Sequence, residues 1–498
     1  MYQAFIGLEI HIQLKSESKI FCACKNFFGD EPNTNICPTC MGLPGTLPVL
    51  NGEAMLKSYL LAQALGCELA EECFFERKNY FYPDLPKNYQ ISQFEQPLGT
   101  KGHIYIDIDG QKKRITIREC HLEEDAGKMI HTGDVSLLDY NRTGTPLIEI
   151  VTEPDMEKPE EAEILIHELR RIVRYMGLSD GNMEEGSLRA DANVSVNHSG
   201  QGLGSKVEIK NLNSSRFVKK SLSYEIQRQQ SILDSAAPVI QETRLWNENR
   251  DQTESMRVKE NSNDYRYFPD PDLPRFYADE DFLKTVHAFH VELPLPRRER
   301  FIQDYSLTRE QAAFLCEERP LADYFETCLK LNADPQQAAV WLASDVQKEL
   351  NRNAVALFDS PLSPQRLVAI LDLLQSGRIH GRIAKQVLTA VFQENKDPVD
   401  IIREKNLEQI VDSGEIDTLI QTVMTENPHV LKEQDTTKAR KFLMGKVMQK
   451  SSGRVDPRLA QEGLERALTE HAVRARPERP EEAAARPERP APRTGSET

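Results

Sequence analysis

The sequence predicts an α+β protein, with an antiparallel-sheet cradle first and all-α helical and tail domains after it. Three observations carry that expectation. Ile6, Leu8, Ile10, Ile12 and Leu14 alternate strictly with Gly7, Glu9, His11 and Gln13, the period-two signature of a strand with one buried face. The pattern returns at Leu188, Ala190, Ala192, Val194 and Val196, with Arg189, Asp191, Asn193 and Ser195 opposite. Beyond Glu292-Leu293-Pro294-Leu295-Pro296, read as a linker, strand signals vanish and the chain to about Glu470 reads as short helices.

At 498 residues the chain exceeds one hydrophobic core. Residues 1–292 are expected to form the sheet domain, 293–405 a helical domain, 406–474 a tail domain and 475–498 a disordered tail with two copies of Ala-Arg-Pro-Glu-Arg-Pro. Sixty-two Lys and Arg against 78 Asp and Glu leave a net charge of −16. That argues against indiscriminate nucleic-acid binding and leaves room for local basic patches. No apolar run approaches the roughly 18 residues of a membrane helix, and no basic segment followed by an apolar signal core opens the chain. A cytoplasmic protein without membrane contact is expected, and its nine cysteines should then be thiols or metal ligands.

Taken in order, the first strand puts Glu9 and His11 on one face, where both could reach one ion or substrate; a plain solvent face is the alternative. Cys22, Cys24, Cys37 and Cys40 follow, the second pair as Cys37-Pro38-Thr39-Cys40-Met41-Gly42. Such a turn aims two sulfurs at one point, as a structural four-thiolate zinc site requires; free thiols are the alternative. A helix is expected near Glu53 to Leu65. The stretch Glu76 to Pro97 mixes Tyr80, Phe81, Tyr82 and Tyr89 with Lys78 and Lys87 and reads as a rigid loop. Its rings could stack on bases while its lysines meet phosphates, or simply pad a core. Strands are expected at Gly102 to Asp109 and Lys113 to Glu119. Next come the acidic triplet Glu123-Glu124-Asp125, the turn Asn141-Arg142-Thr143-Gly144-Thr145-Pro146 and a strand, Leu147 to Thr152, that carries Glu149 among apolar neighbours. Buried charge is costly unless compensated, and clustered carboxylates of this kind suit magnesium; a solvated acidic loop is the alternative.

Pro159 opens a helix closed by Gly177. Lys206, Glu208 and Lys210 oppose Val207 and Ile209 on a further strand, and a helix from about Arg216 to Leu233 should cover part of the sheet. Met256 to Pro274 again mixes Arg257, Lys259 and Arg266 with Tyr265, Tyr267 and Phe268. The last strong helix, Thr436 to Lys450, bears Lys438, Arg440, Lys441, Lys446 and Lys450. It is a candidate nucleic-acid patch, although a solvated helix face is the commoner meaning of such a run.

The blocks IGLEIHIQL, RKNYFYPDLPKNYQISQ, HLEEDAGK, NRTGTPLIEIV, MEEGSLRADANVSV and DYRYFPDPDLP together resemble the B-subunit family of the bacterial aspartyl/glutamyl-tRNA amidotransferase, the GatCAB complex. The likeness covers about residues 1 to 470. It implies an ATP-dependent ligase that phosphorylates the side-chain carboxylate of misacylated Glu-tRNA(Gln) or Asp-tRNA(Asn) and amidates it with ammonia. It further implies a heterotrimer with a glutaminase (the A subunit) and a small clamping chain (the C subunit), and a YqeY-like tail domain that contacts tRNA. The resemblance places magnesium on His11, Glu124 and Glu149, with Glu9 and Asp191 in a second site or outer shell. Lys78, Arg142, Arg189 and Lys210 become candidates for phosphate neutralisation, and zinc on the four cysteines is implied. The chain has no Gly-Ser-Ser amidase signature and no Walker loop, so glutamine hydrolysis is expected on the partner.

Overall fold

The computed structural model describes residues 1–258, 265–410, 412–432, 436–451 and 453–474. The Arg/Pro-rich tail at 475–498 and Lys259 lie outside the described residues. Two compact units divide the chain, Met1–Asp323 and Tyr324–Thr498.

The first unit is built on a nine-stranded sheet. Its strands are β1 (Tyr2–Gln13), β2 (Glu68–Leu69), β3 (Gly99–Ile108), β4 (Gln111–Glu124), β5 (Pro146–Thr152), β6 (Leu188–His198), β7 (Val207–Leu212), β8 (Glu242–Asn247) and β9 (Gln252–Val258). They lie in the order β9-β8-β7-β6-β1-β5-β4-β3-β2. Every neighbouring pair is antiparallel except β7 with β8. β1 therefore lies inside the sheet, flanked by β5 and β6, and its alternation explains why. Ile6, Leu8, Ile10 and Ile12 are all 0% exposed, which requires pairing on both edges and a covered face. The cover comes from α1 (Gly52–Ala64), α2 (Pro159–Tyr175) and α3 (Ser215–Asp234). Leu165, Ile166 and Leu169 of α2 and Val218 and Leu222 of α3 join the strand residues in one core. The other face of the central strands keeps its polar side chains, as an antiparallel sheet permits.

Two expectations are corrected. The stretch 76–97 is not a loop without periodicity: Glu76–Asn79 and Tyr89–Ser92 pair antiparallel, with Phe268–Pro269 on the outer edge. The period was hidden by the shortness of each strand and the proline-rich turn between them. This small sheet is fastened to the end of β4, since Gln90 Nε2 donates to the Glu124 carbonyl at 2.8 Å and Ile91 N–H to its carboxylate at 2.9 Å. Nor is Glu292–Pro296 a linker, because Pro294 is the first residue of a helix, Pro294–Tyr305. A proline there loses no helical hydrogen bond and brings a suitable φ. This helix belongs to the first unit, where Arg298 Nη2 bonds Glu168 of α2 at 2.8 Å and the nearby Tyr175 hydroxyl donates to the Cys316 carbonyl at 2.8 Å. The division between units at 323 therefore falls later than the boundary at 292.

The start of α2 illustrates how charge fixes an element end. Glu161 Oε2 accepts the Glu157 N–H at 2.7 Å and the Lys158 N–H at 3.3 Å, and Lys113 of β4 meets it at 2.8 Å. Burial alone would raise its pKa, but Lys113 and the two backbone donors together hold the carboxyl below its ordinary value. A carboxyl so depressed contributes stability above the unfolded pKa of 4.5 and loses it as pH falls through the folded value. Glu161→Gln is expected to lower unfolding free energy by about 1–3 kcal/mol at pH 7, with the difference from wild type shrinking at pH 4. Denaturant melts at the two pH values check this; an unchanged difference would mean that shape, not charge, holds the cap.

The second unit is helical. Helices Pro364–Gln375, Gly381–Glu394 and Pro398–Glu404 precede Ser413–Glu426, Thr436–Lys450 and Pro457–Arg474. The last three share a core of Ile416, Ile420, Leu443, Val447 and Leu464. The predicted helix at Thr436–Lys450 is present. Among the described residues, no helix is long and apolar enough to cross a membrane.

Candidate functional site

Register assembles the site. His121 of β4, Glu149 of β5, His11 of β1 and Arg189 of β6 are successive cross-strand partners, and their strands direct Leu122, Ile148, Ile12 and Leu188 to the core instead. Four side chains far apart in sequence thus form one row on the polar face. Glu123, two residues from His121, joins them. His11 Nε2 lies 3.5 Å from Glu149 and 3.8 Å from Glu123, while His121 Nε2 lies 2.9 Å from Glu149 and 3.9 Å from Glu123. One ligand atom each from His11, Glu123 and Glu149 falls within 4.8 Å of the others, so the three could hold one cation.

The electrostatics of the row follow from its burial. Desolvation would lower the His11 pKa, yet Glu149 and then Glu123 raise it to about 9. The same two carboxylates raise that of His121. Glu149, which burial would push up, is instead held well below the usual carboxylate range by the two imidazoles. Lys78 approaches from the small sheet; burial opposes its charge, and Glu123 and Glu149 restore it, lifting the pKa above that of an ordinary lysine. The centre is therefore a cation-seeking pair of carboxylates surrounded by groups able to balance charge.

A second cluster sits one row away. Glu9 faces Asp191 in register, Asn193 faces Glu208, and ligand atoms of Glu9, Asp191 and Glu208 lie within 4.8 Å of one another. Asn193 Nδ2 donates to Glu9 at 2.9 Å. Lys210 Nζ reaches Asp191 at 2.6 Å and Glu208 at 3.1 Å, a cation already seated among the carboxylates. Among the described residues, the buried Asn193 Oδ1 and Arg189 Nε have no hydrogen-bond partner, so polar capacity on this face is left unused.

Of the residues expected for magnesium, His11 and Glu149 come together and Glu124 does not. Its parity is wrong: in β4, His121 and Glu123 share the polar face while Leu122 and Glu124 point the other way. Glu124 is buried there, 2.6 Å from Lys87 Nζ and accepting the Ile91 N–H. Glu9 and Asp191 meet in the second cluster, with Glu208 added. Arg142 is turned to structure, since it donates to the carbonyls of Ala126 at 2.9 Å and Gly127 at 2.5 Å and lies 3.7 Å from Asp125. Arg189 pairs with Asp125 at 2.8 Å, and Gln13 Nε2 also bonds that carboxylate at 2.7 Å. Glu123, His121 and Glu208 went unassigned from sequence. The signal existed in the alternation of Cys120 and Leu122, which marks 121 and 123 as the polar face.

The cysteine quartet converges. One Sγ from each of Cys22, Cys24, Cys37 and Cys40 falls within 4.8 Å of the rest, a limit that admits the roughly 3.8 Å sulfur separation of a tetrahedral site with ~2.3 Å bonds. The Gly42 N–H closes on the Thr39 carbonyl at 3.0 Å, and the Cys37 N–H reaches Cys40 Sγ at 3.1 Å. Gly42 has φ +67°, and a Cβ there would stand 2.4 Å from Lys87 Cγ, so the turn both needs glycine and presses on Lys87. The Cys40 thiol is held below its ordinary pKa by its hydrogen bond with Cys22, with the Cys37 N–H and Lys19 adding to the effect.

In the second unit the basic helix buries Ala439, Leu443 and Val447 and exposes Lys438 and Lys441. Arg440 pairs with Glu465 and Lys450 with Glu426, and Lys446 Nζ donates to Gln449 at 3.2 Å.

The GatB/GatE catalytic domain matches residues 4–284, and the GatB domain matches residues 323–468. The chain belongs to the B-subunit family of aspartyl/glutamyl-tRNA(Asn/Gln) amidotransferases. It is 47% identical to the family member of Carboxydothermus hydrogenoformans, over 92% of this chain and 96% of the relative. It is 46% identical to the one from Solidesulfovibrio magneticus, over 94% and 99%, and 45% identical to the one from a Synechococcus strain, over 94% and 98%. The family is that of glutamine-hydrolysing, tRNA-dependent amidotransferases, ligases that form a carbon–nitrogen bond. Both carboxylate clusters and the cysteine quartet lie within the catalytic-domain match; the basic helix lies within the GatB-domain match.

Proposed function

We propose that this chain phosphorylates the side-chain carboxylate of misacylated Glu-tRNA(Gln), Asp-tRNA(Asn) or both at the expense of ATP, and guides amidation of the activated acyl group. The observation that supports this most is the His11, Glu123 and Glu149 cluster on the polar sheet face, with Lys78 and Arg189 beside it. A carboxylate is a poor acyl donor until one oxygen becomes phosphate, and phosphoryl transfer needs positive charge placed around the transferring group. Glu123 and Glu149, with His11 once it has given up its proton, would hold a magnesium ion, and Glu9, Asp191 and Glu208 a second; such ions would supply positive charge to neutralise phosphate oxygens. His121 holds Glu149 in place. Lys78 adds charge from the small sheet, and its ion pair with Asp125 holds Arg189 beside the row. The four cysteines would carry a structural zinc with no open coordination position.

In the same reading the chain works in the cytoplasm as one third of a heterotrimer. The glutaminase partner, in the A position, supplies ammonia, and the small partner in the C position completes the complex. The complex reconstituted from the three chains, given misacylated tRNA, ATP, magnesium and glutamine, is expected to release phosphate and form the amidated aminoacyl-tRNA. A chain that binds tRNA in that complex yet never turns over ATP would instead be a scaffold that presents substrate to chemistry elsewhere. The basic helix Thr436–Lys450 is the proposed tRNA contact. Lys441→Glu with Lys446→Glu is expected to weaken tRNA binding about 10-fold or more at low salt and to flatten its salt dependence, with tRNA-saturated ATP turnover unchanged. Filter binding across a salt series checks this, and equal loss of binding and turnover would count against separate roles.

A further inference from the structure

Lys19 is wholly buried, at 0% exposure, yet among the described residues no carboxylate pairs with its ammonium. Nζ instead donates to the Tyr140 carbonyl at 3.3 Å and to Cys40 Sγ at 3.8 Å. A lysine this deep is rare without a compensating charge, because desolvating an ammonium is expensive. A carbonyl offers only a dipole. Among the described residues, the group in contact with Nζ that can carry negative charge is Cys40 of the cysteine quartet.

We propose that Lys19 is the built-in counter-ion of the metal–thiolate cluster formed by Cys22, Cys24, Cys37 and Cys40, and that it strengthens the quartet's hold on zinc. The inference rests on the zinc reading of the quartet given above. Four thiolates around one divalent ion carry a formal charge of −2, and a buried dianion needs neutralisation as much as the buried lysine does. The side chain is well placed to supply it. The Lys19 N–H donates to the Cys24 carbonyl at 2.9 Å, so the backbone of Lys19 ties it to the first cysteine pair while its ammonium reaches Cys40 of the second. One residue thus spans both halves of the site. Partners of metal ligands that lie outside the coordination shell typically change metal affinity about 10–100-fold when removed.

The test measures zinc content and zinc affinity of the full chain, by elemental analysis and by competition with a chromophoric chelator, for wild type, Lys19→Gln and Lys19→Arg. Cobalt(II) substitution adds a thiolate-to-metal absorption band that reports directly on the sulfurs. Lys19→Gln removes the charge and leaves a slightly shorter polar side chain; Lys19→Arg keeps the charge. The expected result is one zinc per wild-type chain, about 10–100-fold weaker binding in Lys19→Gln and near-normal binding in Lys19→Arg. Equal affinity of wild type and Lys19→Gln overturns the role of Lys19 and leaves the zinc reading intact. A wild-type chain that takes up no zinc overturns both. If Lys19→Gln does not fold, a folded Lys19→Arg that has lost zinc affinity overturns the proposal, since the charge is still there; retained affinity supports it.

Discussion

Glu123→Gln is expected to reduce ATP-dependent amidation by about 100-fold or more while tRNA binding is retained, an order of magnitude in keeping with loss of one charged group from a phosphoryl-transfer centre. The substitution keeps the shape of the side chain and its contact with Ser92, whose hydroxyl donates to Glu123 at 3.2 Å. It removes one of the two negative charges that His11, His121 and Lys78 share. The comparison with Glu124→Gln is decisive because the two residues are neighbours of identical chemistry on opposite faces of β4. The cation cluster contains Glu123 and not Glu124. Raising the magnesium concentration should recover part of the Glu123→Gln activity if the loss is one of metal affinity. Amidation by Glu123→Gln at the wild-type rate would remove this cluster from the reaction.

The second large effect falls behind the sheet. Lys87→Met is expected to destabilise the first unit by about 3–5 kcal/mol, the range for a buried charge stripped of its partner. Lys87 and Glu124 side chains are 7% and 2% exposed, and without the ammonium the carboxylate keeps, among the described residues, only the Ile91 N–H as a hydrogen-bond donor. Lys87 also threads past Gly42 of the cysteine turn and lies 5.4 Å from the Tyr89 ring centre, so its loss loosens three elements at once. Denaturant unfolding of the single variants and of Lys87→Met with Glu124→Gln forms a thermodynamic cycle. The double variant is expected to recover a large part of the stability lost in Lys87→Met, because no charge is then left unpaired. A double variant as unstable as the sum of the singles would assign the cost to packing instead.

The sequence carried much of the site because strands with one wet face write themselves as alternation. Glu9, His11, Asp191 and Glu149 could be seen as polar positions in otherwise apolar strands. The Cys-Pro-x-Cys-x-Gly turn likewise announced a second sulfur pair. The hairpin at 76–92 could not be read, because four-residue strands joined by a proline-rich turn show too few periods to count. The choice of Glu124 over Glu123 shows the limit most clearly. Two adjacent glutamates look equivalent as composition, and only the phase of Cys120 and Leu122 separates them.

By itself the sequence determined which residues are apolar, with what period, and where turns must fall, and these set an antiparallel sheet followed by helices. Tertiary structure decided what depends on partners distant in the chain. The register of β1 against β5 and β6 brings His11 opposite both Glu149 and Arg189, and β4 against β5 sets His121 opposite Glu149. Pairing also put Lys210 among the carboxylates of the second cluster, and the packing of the loop after β1 put Lys19 beside Cys40. Local propensity cannot specify such contacts, since a strand's side-chain period says which face a residue occupies but not which strand lies next to it.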